Sequence, residues 1–169
     1  NANEAPVITS AATASAAENQ TSAITVTSTD VDGGAPSYSI TGGADQTLFS
    51  INSSTGVLSF NAAPNFEIPT DAGGNNVYDV TVQVSDGNGG TATQAIAVTV
   101  TNANEAPVIT SAATVSVAEN QTSAITVTST DVDGGTAVYS ITGGADQTLF
   151  SINASTGVLT FNAAPNFEI

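Results

Sequence analysis

Between Val77 and Ser85 the chain alternates strictly: Tyr78, Val80, Val82 and Val84 are apolar, and Asp79, Thr81, Gln83 and Ser85 between them are polar. The stretch Thr91–Thr101 continues the pattern, with Ile96, Val98 and Val100 set against Ala97, Thr99 and Thr101. A period of two is that of a β-strand with one face in a core and the other in water. Shorter runs rich in β-branched residues predict further strands at 7–10 with a continuation to 16, then at 23–28, 37–41, 48–52 and 56–60. No segment shows helical periodicity. Ser53-Ser54-Thr55-Gly56 and Asp86-Gly87-Asn88-Gly89-Gly90 supply turn residues where two hairpins should close. The spacing predicts an all-β, two-sheet sandwich of seven strands and about 100 residues. Tyr38, Phe49, Phe60, Phe66 and Tyr78 fall at strand positions. They are read as core rather than as a sugar-stacking platform.

The same pattern is then written again. The block that opens at Asn1 recurs from Asn102 at an offset of 101, and the two copies differ only at Ala14/Val115, Ala16/Val117, Ala35/Thr136, Pro36/Ala137, Ser37/Val138, Ser53/Ala154 and Ser59/Thr160. Self-similarity at a domain-sized period marks an array of modules. The expected domains are residues 1–101 and residues 102–169, joined through the short segment 101–107. The second copy stops before counterparts of the last two strands, so its core is expected to be incomplete. Either the natural chain continues or another chain supplies those strands.

Composition narrows the chemistry. Fifteen Asp and Glu residues stand against no Lys, Arg or His, for a formal charge of −15, and Cys, Met and Trp are absent as well. Without His, Lys or Cys there is no ordinary proton shuttle near neutral pH, no Schiff-base amine and no thiolate, so an enzyme is not expected. A surface without cations repels nucleic acid and anionic membranes. Apolar residues make up 40% of the chain, enough to build a core that acidic disordered tails lack. Mutual repulsion among the carboxylates opposes compaction unless cations neutralise it, and oxygen-only ligands select hard ions. No signal peptide, membrane-spanning run or lipidation motif is present in the sequence.

The acids cluster in ordered motifs: Ala17-Glu18-Asn19, Asp30-Val31-Asp32, Asn65-Phe66-Glu67, Asp86-Gly87 and Asn102-Ala103-Asn104-Glu105-Ala106-Pro107. With Tyr38-Ser39-Ile40, Phe49-Ser50-Ile51 and Ser54-Thr55-Gly56-Val57-Leu58, they make the chain resemble the cadherin repeat in its bacterial cadherin-like form. The resemblance covers essentially the whole chain. It implies tandem Greek-key sandwiches of cadherin/immunoglobulin type, the second truncated, with Ca2+ at each junction. For the internal junction it implies a ligand set of Glu18, Asn65, Glu67, Asn102, Asn104, Glu105, Asp131 and Asp133. Asn1, Asn3, Glu4, Asp30, Asp32 and Asp86 would serve a preceding junction, and Glu119, Asn166 and Glu168 a following one. Asn replaces the family's Asp at Asn65/Asn166 and Asn1/Asn102, which keeps a carbonyl oxygen but removes charge from each site. Asp45, Asp71, Asp79 and Asp146 lie outside the motifs and are expected to be exposed. Asp30-Val31-Asp32-Gly33-Gly34 is not an EF-hand loop, because the twelfth position is Thr41 and no helices flank it.

The function implied is that of calcium-dependent structural or adhesive extender repeats in a secreted or surface-anchored bacterial protein, located outside the cell or on its surface. Its partners would be neighbouring repeats or copies of the same protein. Two alternatives remain open at this level: a module binding polysaccharide or a like repeat, as on a cell-surface glycan, and an extracellular filament completed by strand exchange. The first copy has no spare strand to donate to such a filament.

Overall fold

The computed structural model describes residues 2–168 and separates into two compact units, Asn1–Ala103 and Asn104–Ile169. In the first unit the strands are β1 (Val7–Ile8), β2 (Thr13–Ala17), β3 (Ser22–Thr25), β4 (Ser28–Thr29), β5 (Ser37–Gly42), β6 (Phe49–Ile51), β7 (Val57–Phe60), β8 (Val77–Ser85) and β9 (Thr91–Thr101). One sheet has the order β2-β9-β8-β5 and the other β3-β7-β6, with β1 and β4 paired as a separate ribbon. The architecture is the all-β sandwich that the alternation predicts. Strand β8 pairs antiparallel with β9 along its whole length, from Val77↔Thr99 to Ser85↔Thr91. Strand β2 lies parallel to the far half of β9, from Thr13↔Ala97 to Ala17↔Thr101.

Register turns one face of the β8–β9 hairpin inward. Tyr78, Val80, Val82, Val84, Ile96, Val98 and Val100 are each at most 1% exposed, and they meet Ala16, Val26, Tyr38, Phe49, Leu58 and Phe60 from the other elements. Removing such a side chain from water contributes roughly 1.5–3 kcal/mol apiece before conformational entropy is set against it. Phe49 and Phe60 lie with ring centroids 4.5 Å apart, and Tyr78 stands edge-on to Phe60 at 5.1 Å. The buried tyrosines keep partners for their hydroxyls: Tyr38 shares a hydrogen bond with Ser28 Oγ at 3.0 Å, and Tyr78 accepts the Thr70 N–H at 3.3 Å. All five aromatics named from the sequence are buried or packed against the core.

Sequence and structure part at the sheet edges. The first predicted strand is broken into β1 and β2 because the chain changes partner, leaving β4 for β9, and the peptide N–H groups of Thr9 and Ser10 both turn to the Thr27 carbonyl. The next is broken likewise into β3 and β4, with Val26 donating to Gly56 instead of a strand neighbour. Residue 56 must be glycine for this: its φ is +70° and a Cβ there would collide with the Val26 carbonyl oxygen. A 3-10 turn at Gln46–Leu48 takes Leu48, the first residue of the strand expected over 48–52, and β6 begins at Phe49.

Asp45 and Asp71 overturn the expectation of exposure. They are 3% and 7% exposed. Asp45 accepts the N–H groups of Ala72 at 2.7 Å and Asp79 at 2.8 Å, while Asp71 accepts those of Asn75 and Asn76, both at 3.0 Å. Each carboxylate therefore stands in for a missing backbone acceptor in the loop before β8. Asp79 and Asp146 are exposed.

Burial pushes the Asp71 carboxyl up, but the N–H groups of Asn75, Asn76, Asp71 itself and Gly74 together hold it below its ordinary value of 3.8. A depressed folded-state pKa contributes stability that is complete above the unfolded value and is lost as pH falls through the folded one. In excess chelator, Asp71→Asn should cost about 1 kcal/mol at pH 7, because one oxygen acceptor becomes an amide donor and solvent screens part of the loss. The cost should shrink progressively as the pH is lowered below 3.8, measured by urea unfolding at a series of acidic pH values.

The second unit contains β10 (Val108–Ile109), β11 (Ser123–Thr126), β12 (Ser129–Thr130), β13 (Phe150–Ile152) and β14 (Val158–Phe161). Its sheet order is β11-β14-β13, with a β10–β12 ribbon. Pairings repeat those of the first unit: Val108↔Thr130 matches Val7↔Thr29, and Phe150↔Phe161 matches Phe49↔Phe60. Residues 114–118 and 138–143, the counterparts of β2 and β5, form no strand. Their partners in the first unit are β9 and β8.

Candidate functional site

Three sets of acidic and amide side chains gather at loop clusters, two in the first unit and one at the start of the second. The first lies near residues 3–4 in the first unit. Asp32 Oδ2 accepts the Glu4 N–H at 2.7 Å, Asp30 Oδ1 accepts the Asp32 N–H at 2.9 Å, and the Asn3 amide donates to Asp86 Oδ2 at 2.7 Å. Asp30 and Asp86 line one cavity of about 80 Å³ with Pro6, Gly33 and Gly34. The Asp86 loop folds back through its own acceptor, Oδ1 taking the N–H of Asn88 at 2.7 Å and of Gly90 at 3.0 Å. The Asn3 amide is the main cause holding the Asp86 carboxyl below its ordinary value; the N–H groups of Asn88, Gly90 and Asp86 add to it, and burial opposes them. Oδ2 of Asp30 is buried and has no hydrogen-bond partner among the described residues. Asn1, assigned to this set from the sequence, lies outside the described residues.

The second set lies where β9 ends. Glu18 is 1% exposed, yet its carboxylate is held by backbone: Oε2 accepts the Phe66 N–H and Oε1 the Ala103 N–H, each at 2.8 Å. Strand β2 delivers Glu18 there, because its parallel pairing with β9 continues into the Glu18 N–H donating to the Thr101 carbonyl at 3.0 Å. Asn102 donates from its amide to Glu67 Oε1 at 3.0 Å. The structure thus brings Glu18, Glu67 and Asn102 to one loop cluster. Asn65 sits beside them, but its Oδ1 accepts the Ile68 N–H at 2.8 Å and so serves the local turn.

The third set, in the second unit, repeats the first. Asp133 Oδ2 accepts the Glu105 N–H at 2.6 Å, Asp131 Oδ1 accepts the Asp133 N–H at 3.1 Å, and the Asn104 amide donates to the Glu105 carbonyl at 2.9 Å. Farther along, Glu119 Oε2 accepts the Phe167 N–H at 3.1 Å and Asn166 Oδ1 the Glu168 N–H at 3.0 Å. That pair mirrors Glu18 and Phe66, although Glu119 is only half-buried.

A buried carboxylate ordinarily has a cationic partner, since desolvating an isolated charge is costly. This chain has no cationic side chain to offer. What its loops present instead is a set of hard oxygen donors on a backbone scaffold, which suits an oxygen-loving divalent ion of flexible geometry. The orphaned Asp30 oxygen is consistent with that donor set. Sequence reasoning did not anticipate the buried acceptors Asp45 and Asp71. Asp71 alone carries a local signal, standing four and five residues before Asn75 and Asn76 in a Gly-rich loop as a side chain that serves nearby N–H groups, whereas the donors to Asp45 lie 27 and 34 residues away.

Comparison with known proteins bears on the fold and the family. A model of the bacterial Ig domain matches residues 3–99. Human protocadherin Fat 4 is 34% identical over 140 residues, which span 78% of this chain and 3% of that protein. Two solved structures of the human protocadherin-24 EC1-2 region match with TM-scores of 0.58 and 0.59. They are 20% and 22% identical, covering 99% and 96% of this chain and 81% of the matched chain in both cases. The chain belongs to the bacterial Ig domain family, and its fold is that of a cadherin-like repeat.

Proposed function

We propose that these units are spacer repeats of an extracellular or bacterial cell-surface protein, and that Ca2+ held by the acidic loops stiffens the array. Glu18, Asn65, Glu67, Asn102, Asn104, Glu105, Asp131 and Asp133 would serve the internal junction. Asn1, Asn3, Glu4, Asp30, Asp32 and Asp86 would serve a preceding one, and Glu119, Asn166 and Glu168 a following one. Calcium takes about six to eight oxygen ligands, and when bound it supplies the positive charge these loops lack. The observation that carries the reading is Glu18: a carboxylate sealed in the fold of a chain without Lys, Arg or His. The near identity of the copies suits a spacer, in which repeat number matters more than individual surfaces. Non-enzymatic structural or adhesive work fits both the fold and the missing catalytic side chains.

Titrating the full chain with Ca2+ by calorimetry should show saturable binding, weakened about tenfold or more by Asp131→Ala or Glu67→Ala, since affinity follows the count of charged ligands. Excess chelator should lower the melting temperature and broaden the distribution of lengths seen by small-angle scattering. Melting and scattering that ignore chelator would defeat the proposal.

A further inference from the structure

We propose that Asn88-Gly89, at the tip of the β8–β9 hairpin, is a site of self-modification where the folded chain converts asparagine to aspartate and isoaspartate without an enzyme. Among the asparagines only Asn88 is followed by glycine, so only there does the next peptide nitrogen lack a Cβ to shield it. Asn88 and Gly89 are both exposed. A Cβ on Gly89 would meet nothing within 4 Å, and its φ of +105° is one that glycine adopts at no steric cost. Other N–H groups of the turn are taken: Gly87 donates to Ser85 Oγ at 3.2 Å, and Asn88 and Gly90 donate to Asp86 Oδ1 at 2.7 Å and 3.0 Å. The Gly89 N–H and the Asn88 carboxamide have no hydrogen-bond partner among the described residues. Nucleophile and electrophile are therefore neighbours, both free, in a turn that is otherwise held.

The reaction needs only water as co-reactant. The Gly89 nitrogen attacks Asn88 Cγ, a C–N bond forms, the Cγ–Nδ2 bond breaks, and ammonia leaves with the proton that Gly89 gives up. Water then opens the cyclic imide. Attack at Cγ leaves aspartate at position 88, and attack at the main-chain carbonyl leaves isoaspartate, whose backbone runs through Cβ and is longer by that carbon. The pairs Asp32-Gly33, Asp86-Gly87 and Asp133-Gly134 have the same spacing, but in each the glycine N–H is committed, to the Asp30 carbonyl at 3.3 Å, Ser85 Oγ at 3.2 Å and the Asp131 carbonyl at 3.2 Å respectively. An ionised carboxylate also resists attack by a neutral nitrogen. The added carbon of isoaspartate enters between Asn88 and Gly89, inside the loop that the Asp86 N–H closes on the Gly90 carbonyl at 3.2 Å. Gly90 has little room to shift, since a Cβ there would lie 2.9 Å from Ala5 Cα and 3.0 Å from the Glu4 carbonyl oxygen. The lengthened turn gives up the bonds between Asp86 and Gly90, and the hairpin tip loosens beside residues 4–5 as the protein ages.

The inference does not depend on the calcium reading, and its test is run in excess Ca2+. The full chain is kept warm at neutral pH for weeks, with a second sample in urea. Both are digested by a protease that cuts beside aromatic residues, and tandem mass spectrometry maps the conversion of amide to carboxylate and the isoaspartate. In the folded chain position 88 should account for most of the amide lost, and isoaspartate at the three Asp-Gly pairs should be confined to the urea sample. Asn88→Gln, which keeps an exposed amide but has to close a larger ring, should remove the loss at that position. In the aged chain amide exchange at Asp86 and Gly90 should quicken about tenfold, as expected for losing one hydrogen bond at each, while Val98 and Val100 stay unchanged. Retention of the Asn88 amide in the folded chain would overturn the proposal, as would loss spread evenly over the asparagines. Isoaspartate at the Asp-Gly pairs at the same rate in the folded chain would also overturn it, because hydrogen bonding would then not select the site. Unchanged exchange at Asp86 and Gly90 once position 88 is converted would defeat the loosening of the tip.

Discussion

Replacing Glu18 by Gln should lower the melting temperature of the first unit by roughly 5–15 °C in millimolar Ca2+ and by far less in excess chelator. Two opposed terms set this. With the ion bound, the carboxylate's charge is matched, and Gln removes both that charge and one of the two oxygens that accept the Phe66 and Ala103 N–H groups. Weakening the ion's binding ten- to a hundredfold removes about 1.4–2.7 kcal/mol of stabilisation at fixed ion concentration. In chelator the same substitution still forfeits a hydrogen bond, but it also relieves a buried charge that no side chain can match, so the two effects largely cancel. Differential scanning calorimetry of both proteins in both conditions reads the double difference. If the loss is equal with and without Ca2+, Glu18 is a structural acceptor of the same kind as Asp45, and the metal reading fails at the residue that supports it best.

That comparison also shows where sequence alone is sufficient. The boundaries of β8 and β9 coincide with those read from the alternation, because strands of 9 and 11 residues repeat the period often enough to fix face and ends together. Burial of their valines follows from the same pattern. Edge elements were less legible: whether residues 7–17 make one strand or two depends on which partner each half finds, and partner choice is not a local property. The point is sharpest at residues 13–17 and 114–118. The second segment carries Val115 and Val117 in place of Ala14 and Ala16, a better strand sequence by propensity, yet only the first forms a strand. A neighbour in β9 outweighs two β-branched side chains. Among the candidate ligands, motif spacing singled out Glu18, Glu67 and Asn102, which the structure brings together, whereas Asp45 escaped because it satisfies N–H groups 27 and 34 residues away, along a path no spacing rule encodes.

Leu58→Ala and Leu159→Ala are one substitution made in two copies of one strand, and their costs should differ severalfold. Leu58 pairs with Ile24 and Ile51, and Leu159 with Ile125 and Ile152, so local sequence and register are the same. What differs is the layer above. Leu58 is 0% exposed beneath the valines of β8 and β9, whereas Leu159 is half-exposed and lines the open cavity. Truncating Leu58 leaves a void that a close-packed core only partly fills and should cost about 3–5 kcal/mol, while at Leu159 water already touches the site and the cost should be about 1–2 kcal/mol. Urea unfolding with amide exchange as the readout separates the units, β8 and β9 reporting the first and β14 the second. The gap between the two costs measures what the hairpin contributes at that position. Equal costs would mean that the second unit covers Leu159 in solution by some other packing.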